Sequence, residues 1–233
     1  EKLSAVMNAA APNPWKGFRL DGTGCQSVEV ESIPNMIETW LGFREKPSSD
    51  EAWKIIVKER IDGGVNQARE SILYFLRHAA IWYDGSGELS SWRETLHTYP
   101  EKIWCIRLAE EIFRVWQHGE YNFVQRVAKR NDALAKSVCI GEFVSGVMST
   151  LLLIHRDYVP YWKWLTHEFR KLEAAQTYAP LLEELVSAST TERQVELVLK
   201  ICSEIHQTLK TRGIISGESN NHPCRYCVPI QNC

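Results

Sequence analysis

EKIWCIRLAEEIFRVWQH, residues 101–118, is the stretch on which the fold turns. Ile103, Ile106, Leu108, Ile112, Val115 and Trp116 recur at helical spacing and make a broad apolar stripe, the mark of a helix with a core-facing side. Tyr99-Pro100 opens it, and the residues just beyond it, 121–154, form the longest and least polar helical stretch, with a break signal at Asn131-Asp132. Upstream, 51–60 and 67–81 carry the same period, and the Gly-rich turn 83–87 ends the second of them before a short helix near Ser91. Downstream, Pro160 sits where a helix start tolerates a missing N–H, and that helix is predicted to run to about Ala175. Two more are predicted, over 180–186 and 191–211, the latter stopped by Gly213. The pattern predicts a mainly α protein, a helical bundle.

Before residue 48 the pattern differs. Pro12, Pro14, Gly17, Gly22 and Gly24 punctuate a loop-rich stretch, and residues 27–31 alternate apolar and acidic side chains with the period of a half-buried strand. Residues 33–41 read as a short helix ended by Gly42, and Pro47 to Asp50 gives a boundary with a ready N-cap. This divides the chain into 1–47, 48–215 and a cysteine-bearing tail, 216–233.

The 233 residues carry 27 Lys+Arg against 29 Asp+Glu, a net charge of −2, which is not the basic footprint of a protein whose main partner is a phosphate backbone. The longest apolar run, Val147 to Ile154, falls short of the roughly 20 residues a bilayer requires, so no membrane span is predicted. The missing initiator Met predicts an N-terminal segment ahead of Glu1. Of the seven cysteines, Cys105, Cys139 and Cys202 lie in apolar helical contexts and are predicted to be buried thiols, which points to a reducing, cytoplasmic compartment. Cys224, Cys227 and Cys233 with His222 offer four zinc-type ligands, but a single C-x-x-C lacks the second spaced pair, and a thiol-bearing tail is the preferred reading.

Four segments in order carry a resemblance: Tyr99-Pro100-Glu101-Lys102; Arg126 with Arg130, Asn131 and Asp132; Arg156-x-Tyr158-x-Pro160-Tyr161-x-Lys163-Trp164-Leu165; and 209–215, ending Gly-Ile-Ile. Together they resemble the helical C-terminal half of a bacterial family of nucleotidyltransferase-fold proteins, distantly similar to kanamycin nucleotidyltransferase, over roughly 28–215. The string from Arg156 to Leu165 is the most specific part. The resemblance implies that 1–47 is the end of a small α/β domain and that the protein moves a nucleoside monophosphate from ATP or another nucleoside triphosphate to a hydroxylated small-molecule or protein acceptor, with Mg²⁺. Carboxylates hold the metal against the triphosphate in such chemistry. Val28-Glu29-Val30 is similar to the family's third-carboxylate strand, with Glu29 as metal ligand; an edge strand with outward glutamates would look the same. The Gly-Ser-x(n)-Asp-x-Asp turn that supplies the first two carboxylates does not occur; Asp84-Gly-Ser-Gly-Glu88 has the wrong order and lies between helices.

Nucleotide-binding candidates follow from the same string: Lys163, Arg156 and Tyr161. Lys163, His167 and Arg170, at i, i+4 and i+7, share one helix face and could grip a triphosphate, or form a solvated basic face. Arg156 and Tyr158 could instead fix the geometry of the Pro160 turn. Glu142 is the candidate catalytic base: it is the only acid between Lys136 and Asp157, with Ser145, Gly146 and Ser149 on its side at i+3, i+4 and i+7, small enough for another element to approach. Burial would raise the pKa of such a carboxyl unless a cation pairs with it, and a salt bridge to an arginine of a neighbouring helix is the competing reading. Trp162 and Trp164, two apart, cannot both face inward.

The alternative function is a non-catalytic helical binding or regulatory module, with a homodimer as one form. A helical ribonuclease is excluded by the lack of an Arg-x(4–6)-His spacing. No P-loop, dinucleotide-binding Gly-x-Gly-x-x-Gly, His-Glu-x-x-His or Gly-x-Ser-x-Gly elbow occurs either.

Overall fold

The computed structural model describes residues 32–61 and 66–215, with side chains described for all of these except 56–61 and 66–69. Glu29, the strand predicted at 27–31, and the His222–Cys233 cluster lie outside the described residues. The chain divides into two units, 1–45 and 46–233. Within the first, helix α1 (Ile33–Leu41) starts where Ser32 Oγ accepts from the Asn35 N–H and ends where Gly42, at φ 75°, donates its N–H to Glu38 O.

Among its described residues the second unit is all helix: α2 (Asp50–Ile61), α3 (Asn66–His78), α4 (Glu88–Thr95), α5 (Glu101–Trp116), a π-helix (Gln117–Val127), α6 (Ala133–Ile154), α7 (Trp162–Phe169), α8 (Ala175–Ser187) and α9 (Thr191–Thr211). The mainly α bundle predicted from periodicity is what forms. The turn at Asp84 is a helix cap: its carboxylate accepts from the Leu89 and Ser90 N–H groups at 3.4 and 2.7 Å, which holds its pKa below the usual range.

α5 and its π-helical extension pair with α6 as an antiparallel hairpin. Trp104 Nε1 donates to Leu153 O at 2.7 Å, Arg114 grips Glu142, and the Cys139 thiol donates to His118 O at 2.9 Å, so positions rise on one helix as they fall on the other. The two helices come close at Gly146, where a Cβ would sit 3.3 Å from Val115 Cγ2. α8 and α9 form a second antiparallel pair, tied by Tyr178 to Thr208 at one end and Glu184 to Arg193 at the other. Thr190 Oγ1 caps α9 on the Arg193 N–H, and Asp132 caps α6 on the Ala135 N–H.

Three local expectations change. The helix continuing α5 widens into a π-helix, which no apolar period announces. The helix after Pro160 stops at Phe169, not near Ala175, and α8 begins at Ala175 with Pro180 inside it. Buried Ala175, Tyr178, Leu182 and Leu185 line one face of α8, and burying that stripe offsets the backbone hydrogen bond that Pro180 cannot make. Finally, α6 is long and apolar enough to cross a bilayer by length and composition, beyond the run seen in sequence, but 67% of its most apolar window is buried inside the bundle. It is a core helix.

Candidate functional site

A cavity of about 330 Å³ opens where α3, α5 and α6 meet the chain from Val159 to Leu165. Its polar lining comes from Glu70 and Ser71 on α3, Glu111 and Arg114 on α5, and Glu142, Ser145 and Ser149 on α6. The last three fall at i, i+3 and i+7, one helix face, the side that small residues leave open. Val159, Pro160, Tyr161, Trp162 and Leu165 make an apolar and aromatic wall opposite.

The ions beneath this cavity are linked. Arg107, 1% exposed, bonds Glu70 through Nη2 at 2.6 Å and Glu111 at 3.3 Å, and its Nη1 bonds Glu110. Burial alone disfavours that cation, but Glu70, Glu111 and Glu110 outweigh it and hold the guanidinium above its usual pKa. Tyr99 Oη donates to Glu70 at 3.1 Å, and its pKa is pushed up by burial and then by the Glu70 charge. Arg114 reaches Glu111 at 3.4 Å and gives Nε and Nη2, at 3.1 and 2.6 Å, to Glu142 Oε2. The sequence signal for this network was available in Arg107, Glu111 and Arg114, charged residues at i, i+4 and i+7 embedded in the apolar period. Glu70 was invisible, because nothing local ties it to α5.

The cavity wall is held where two of the segments that carry the resemblance, 99–102 and 156–165, meet in space. Tyr99 packs edge-on against Tyr158 with ring centres 4.7 Å apart, and Tyr158 Oη donates to Leu96 O at 2.8 Å. Arg156 gives both terminal nitrogens to Glu101, at 2.5 and 2.8 Å, and lies 3.3 Å over the Trp104 ring. Arg77 donates to the Arg156 carbonyl at 2.7 Å and to His97 O at 3.2 Å, while His78 Nε2 sits 3.1 Å from Asp157. Arg156 adopts φ 61°, the left-handed region, and is the one non-glycine residue to do so among those described. The turn from His155 to Pro160 is thus clamped by α3, by α5 and by the segment between α4 and α5, and that clamp sets where Tyr161 and Trp162 stand.

The candidates separate accordingly. Glu142 and Tyr161 line the cavity. Arg156 does not; its guanidinium is committed to Glu101 and Trp104, the turn-fixing alternative. Lys163 does not line the cavity and stands on the rim, its Nζ 5.9 and 5.6 Å from the Tyr161 and Trp162 rings. His167 and Arg170 share its exposed face, Arg170 pairing with Glu183. Neither Trp162 nor Trp164 faces inward, since Leu165 and Phe169 take the buried positions of α7. Arg126 stacks on Tyr121. Cys105 and Cys139 are buried and Cys202 is half-buried, none of them in a disulfide, and burial pushes the Cys202 thiol pKa up. No group of three or more His, Cys, Asp or Glu suited to a metal ion occurs among the described residues.

Residues 66–165 match the model of a domain of unknown function, DUF4037. Every residue lining the cavity falls inside that stretch. No curated protein and no solved structure matches the chain.

Proposed function

We propose that the helical body is the acceptor-binding part of a nucleotidyltransferase-like protein, in which Glu142 takes the proton from an acceptor hydroxyl. The observation that carries this reading is the placement of Glu142. Its Oε2 is fixed by two N–H groups of Arg114 at the edge of a polar cavity, while Oε1 accepts no hydrogen bond from any described residue. A carboxylate held by one oxygen and open at the other meets the geometric requirement of a general base. A concave site with a few convergent polar groups opposite an apolar wall is the usual form of a small-molecule pocket.

The described residues do not assemble a Mg²⁺ site, so the donor nucleotide and its metal belong, in this reading, with Glu29 and whatever carboxylates accompany it. Lys163, exposed on α7, is the candidate cation for the triphosphate in this reading. Thiols buried outside any disulfide support a reducing, cytoplasmic location. A second reading, a binding module without chemistry, is favoured by one observation: the Arg114–Glu142 pair joins α5 to α6 as a structural ion pair would.

Label transfer from α-³²P-labelled nucleoside triphosphates, with Mg²⁺ and a library of hydroxylated acceptors, separates the two. Glu142→Gln is expected to lower transfer at least about 100-fold while acceptor binding survives. Transfer by Glu142→Gln at the parent rate removes the base role. Acceptor binding with no transfer by the parent protein leaves the module.

A further inference from the structure

We infer that the open face of α6 around Leu134, Val138 and Gly141 pairs with the same face of a second copy of this chain, the two helices running antiparallel about a two-fold axis. This goes beyond the acceptor-binding reading and does not depend on it.

The N-terminal half of α6 is apolar on a side that the bundle leaves open. Most of the helix is covered, but Leu134 is 81% exposed, Val138 is 67% exposed, and Gly141 is exposed as well. These residues stand at i, i+4 and i+7, on one side of the helix over two turns. An uncovered helix face ordinarily carries polar side chains, and an apolar one marks a contact surface. The apolar surface continues at Val144, three residues past Gly141, which shares a cleft with the 64% exposed Val186 of α8.

Shape selects a copy of the same face. Leu134 is a knob and Gly141 a hole, since a Cβ built on Gly141 would meet no atom within 4 Å. The two are two turns apart, about 10 Å along the axis. When two such faces cross antiparallel about a two-fold axis near Val138, Leu134 of each copy stands over Gly141 of the other. The two Val138 side chains then meet at the axis. A knob and a hole at equal distances from a shared centre are what an isologous contact requires. The glycine also lets the helices approach towards the short end of the roughly 8–10 Å range of packed pairs.

Charge selects the same arrangement. Arg126, Lys129 and Arg130 precede α6, against one acid, Asp132, whose carboxylate caps the helix. Arg126 lies on Tyr121, and neither Lys129 nor Arg130 pairs with a carboxylate among the described residues. At the other end of the face is Glu142, the one acid on α6. Antiparallel pairing carries each cation cluster towards the end of the other copy's face that holds Glu142. It also keeps the two clusters about 20 Å apart, beyond the roughly 8 Å over which such charges act at physiological ionic strength. Parallel pairing would set the clusters side by side. Two turns of helix from each copy make a small contact, which suits a reversible dimer and not an obligate one.

Sedimentation equilibrium of the whole chain, with reductant present so that no disulfide joins copies, tests this. A reversible monomer–dimer equilibrium is expected, with a dissociation constant of about 10–100 μM. Leu134→Asp, a change at an exposed position, is expected to raise that constant at least about tenfold, because pairing would desolvate the new charge. Gly141→Leu separates association from folding. It fills the hole and is expected to weaken the dimer about tenfold, while open space and better helix propensity keep the monomer's melting temperature at or above the parent's. Val138→Cys treated with a short bis-maleimide is expected to give a dimer linked through residue 138 of both copies, identified by peptide mass spectrometry. A monomer at every concentration up to about 300 μM overturns the inference, as does the absence of a link between the two residues 138. A dimer whose constant neither Leu134→Asp nor Gly141→Leu changes sits on another face and overturns it too.

Discussion

Replacing Arg107 by Met tests the ionic floor of the cavity. The guanidinium is 1% exposed and bonds Glu70 at 2.6 Å and Glu111 at 3.3 Å, carboxylates that are themselves 3% and 1% exposed. Methionine fills most of the volume, so the loss is electrostatic and not a cavity term. Removing one partner of a buried ionic cluster costs about 3–5 kcal/mol because the others stay behind. Tyr99 still donates to Glu70 and Arg114 still reaches Glu111, which places the expected loss at about 3 kcal/mol, a large share of the roughly 5–15 kcal/mol a domain possesses. The loss depends on pH with a defined sign. Buried carboxylates deprived of their cation favour the protonated form, so the folded variant binds more protons than its unfolded chain. Its deficit therefore grows as pH rises from the carboxylate range towards neutrality. Urea unfolding followed by tryptophan fluorescence, in acid and at neutral pH, reads both quantities. Arg107→Met with Glu70→Met is expected to lose less than Arg107→Met alone. A single-variant loss under about 1 kcal/mol, unchanged with pH, would refute the reasoning.

Other expectations follow from particular contacts. Gly119→Ala puts a Cβ 2.6 Å from Cε2 of Phe143, a fully buried ring, and is expected to cost about 1–3 kcal/mol, whereas Gly146→Ala, with its nearest atom at 3.3 Å and a helix-propensity gain, should be close to neutral; chemical denaturation compares them. At Arg156, with φ 61°, both Ala and Gly lose the Glu101 pair and the Trp104 stacking, but only Ala keeps the left-handed strain, so thermal unfolding should rank Arg156→Ala below Arg156→Gly by about 1 kcal/mol. His155 and His206 titrate below the ordinary value of 6.5, through burial first and then Arg212 and Lys210 respectively. The unfolded chain therefore takes up these protons first, and stability falls as pH drops below 6.5 towards the folded values. Denaturation midpoints of His155→Gln with His206→Gln should be flatter across that window, and an unchanged slope would discount both imidazoles.

How much of this was legible beforehand differs by residue. The stripe of Ile103, Leu108, Ile112 and Val115 gave α5 its length and its buried side, and the break at Asn131-Asp132 and the helix over 191–211 are kept by the structure, where Asp132 and Thr190 cap the helices that follow. Glu142, with Ser145 and Ser149 on its face, was identified as a site element from spacing on one helix, and the cavity includes all three. Arg156 was ambiguous for a physical reason: a guanidinium beside an aromatic string looks the same whether it grips phosphate or a glutamate. Only the approach of Glu101, 55 positions earlier, decides its partner. Trp162 and Trp164 illustrate the converse. Alternation forbids both from facing inward, but it does not forbid both from facing out.

The amino-acid sequence by itself determined the helices and most of their ends, because periodicity, caps and breakers act within a few residues of backbone. Tertiary structure alone decided that Glu70 joins Arg107, that Glu101 takes Arg156, that Pro180 rides inside a helix and that Ser149 borders a cavity. Those outcomes depend on which side chains meet after helices far apart in the chain have packed. The energy of such a meeting is carried by burial and by charge pairing across space, and neither leaves a period in the sequence.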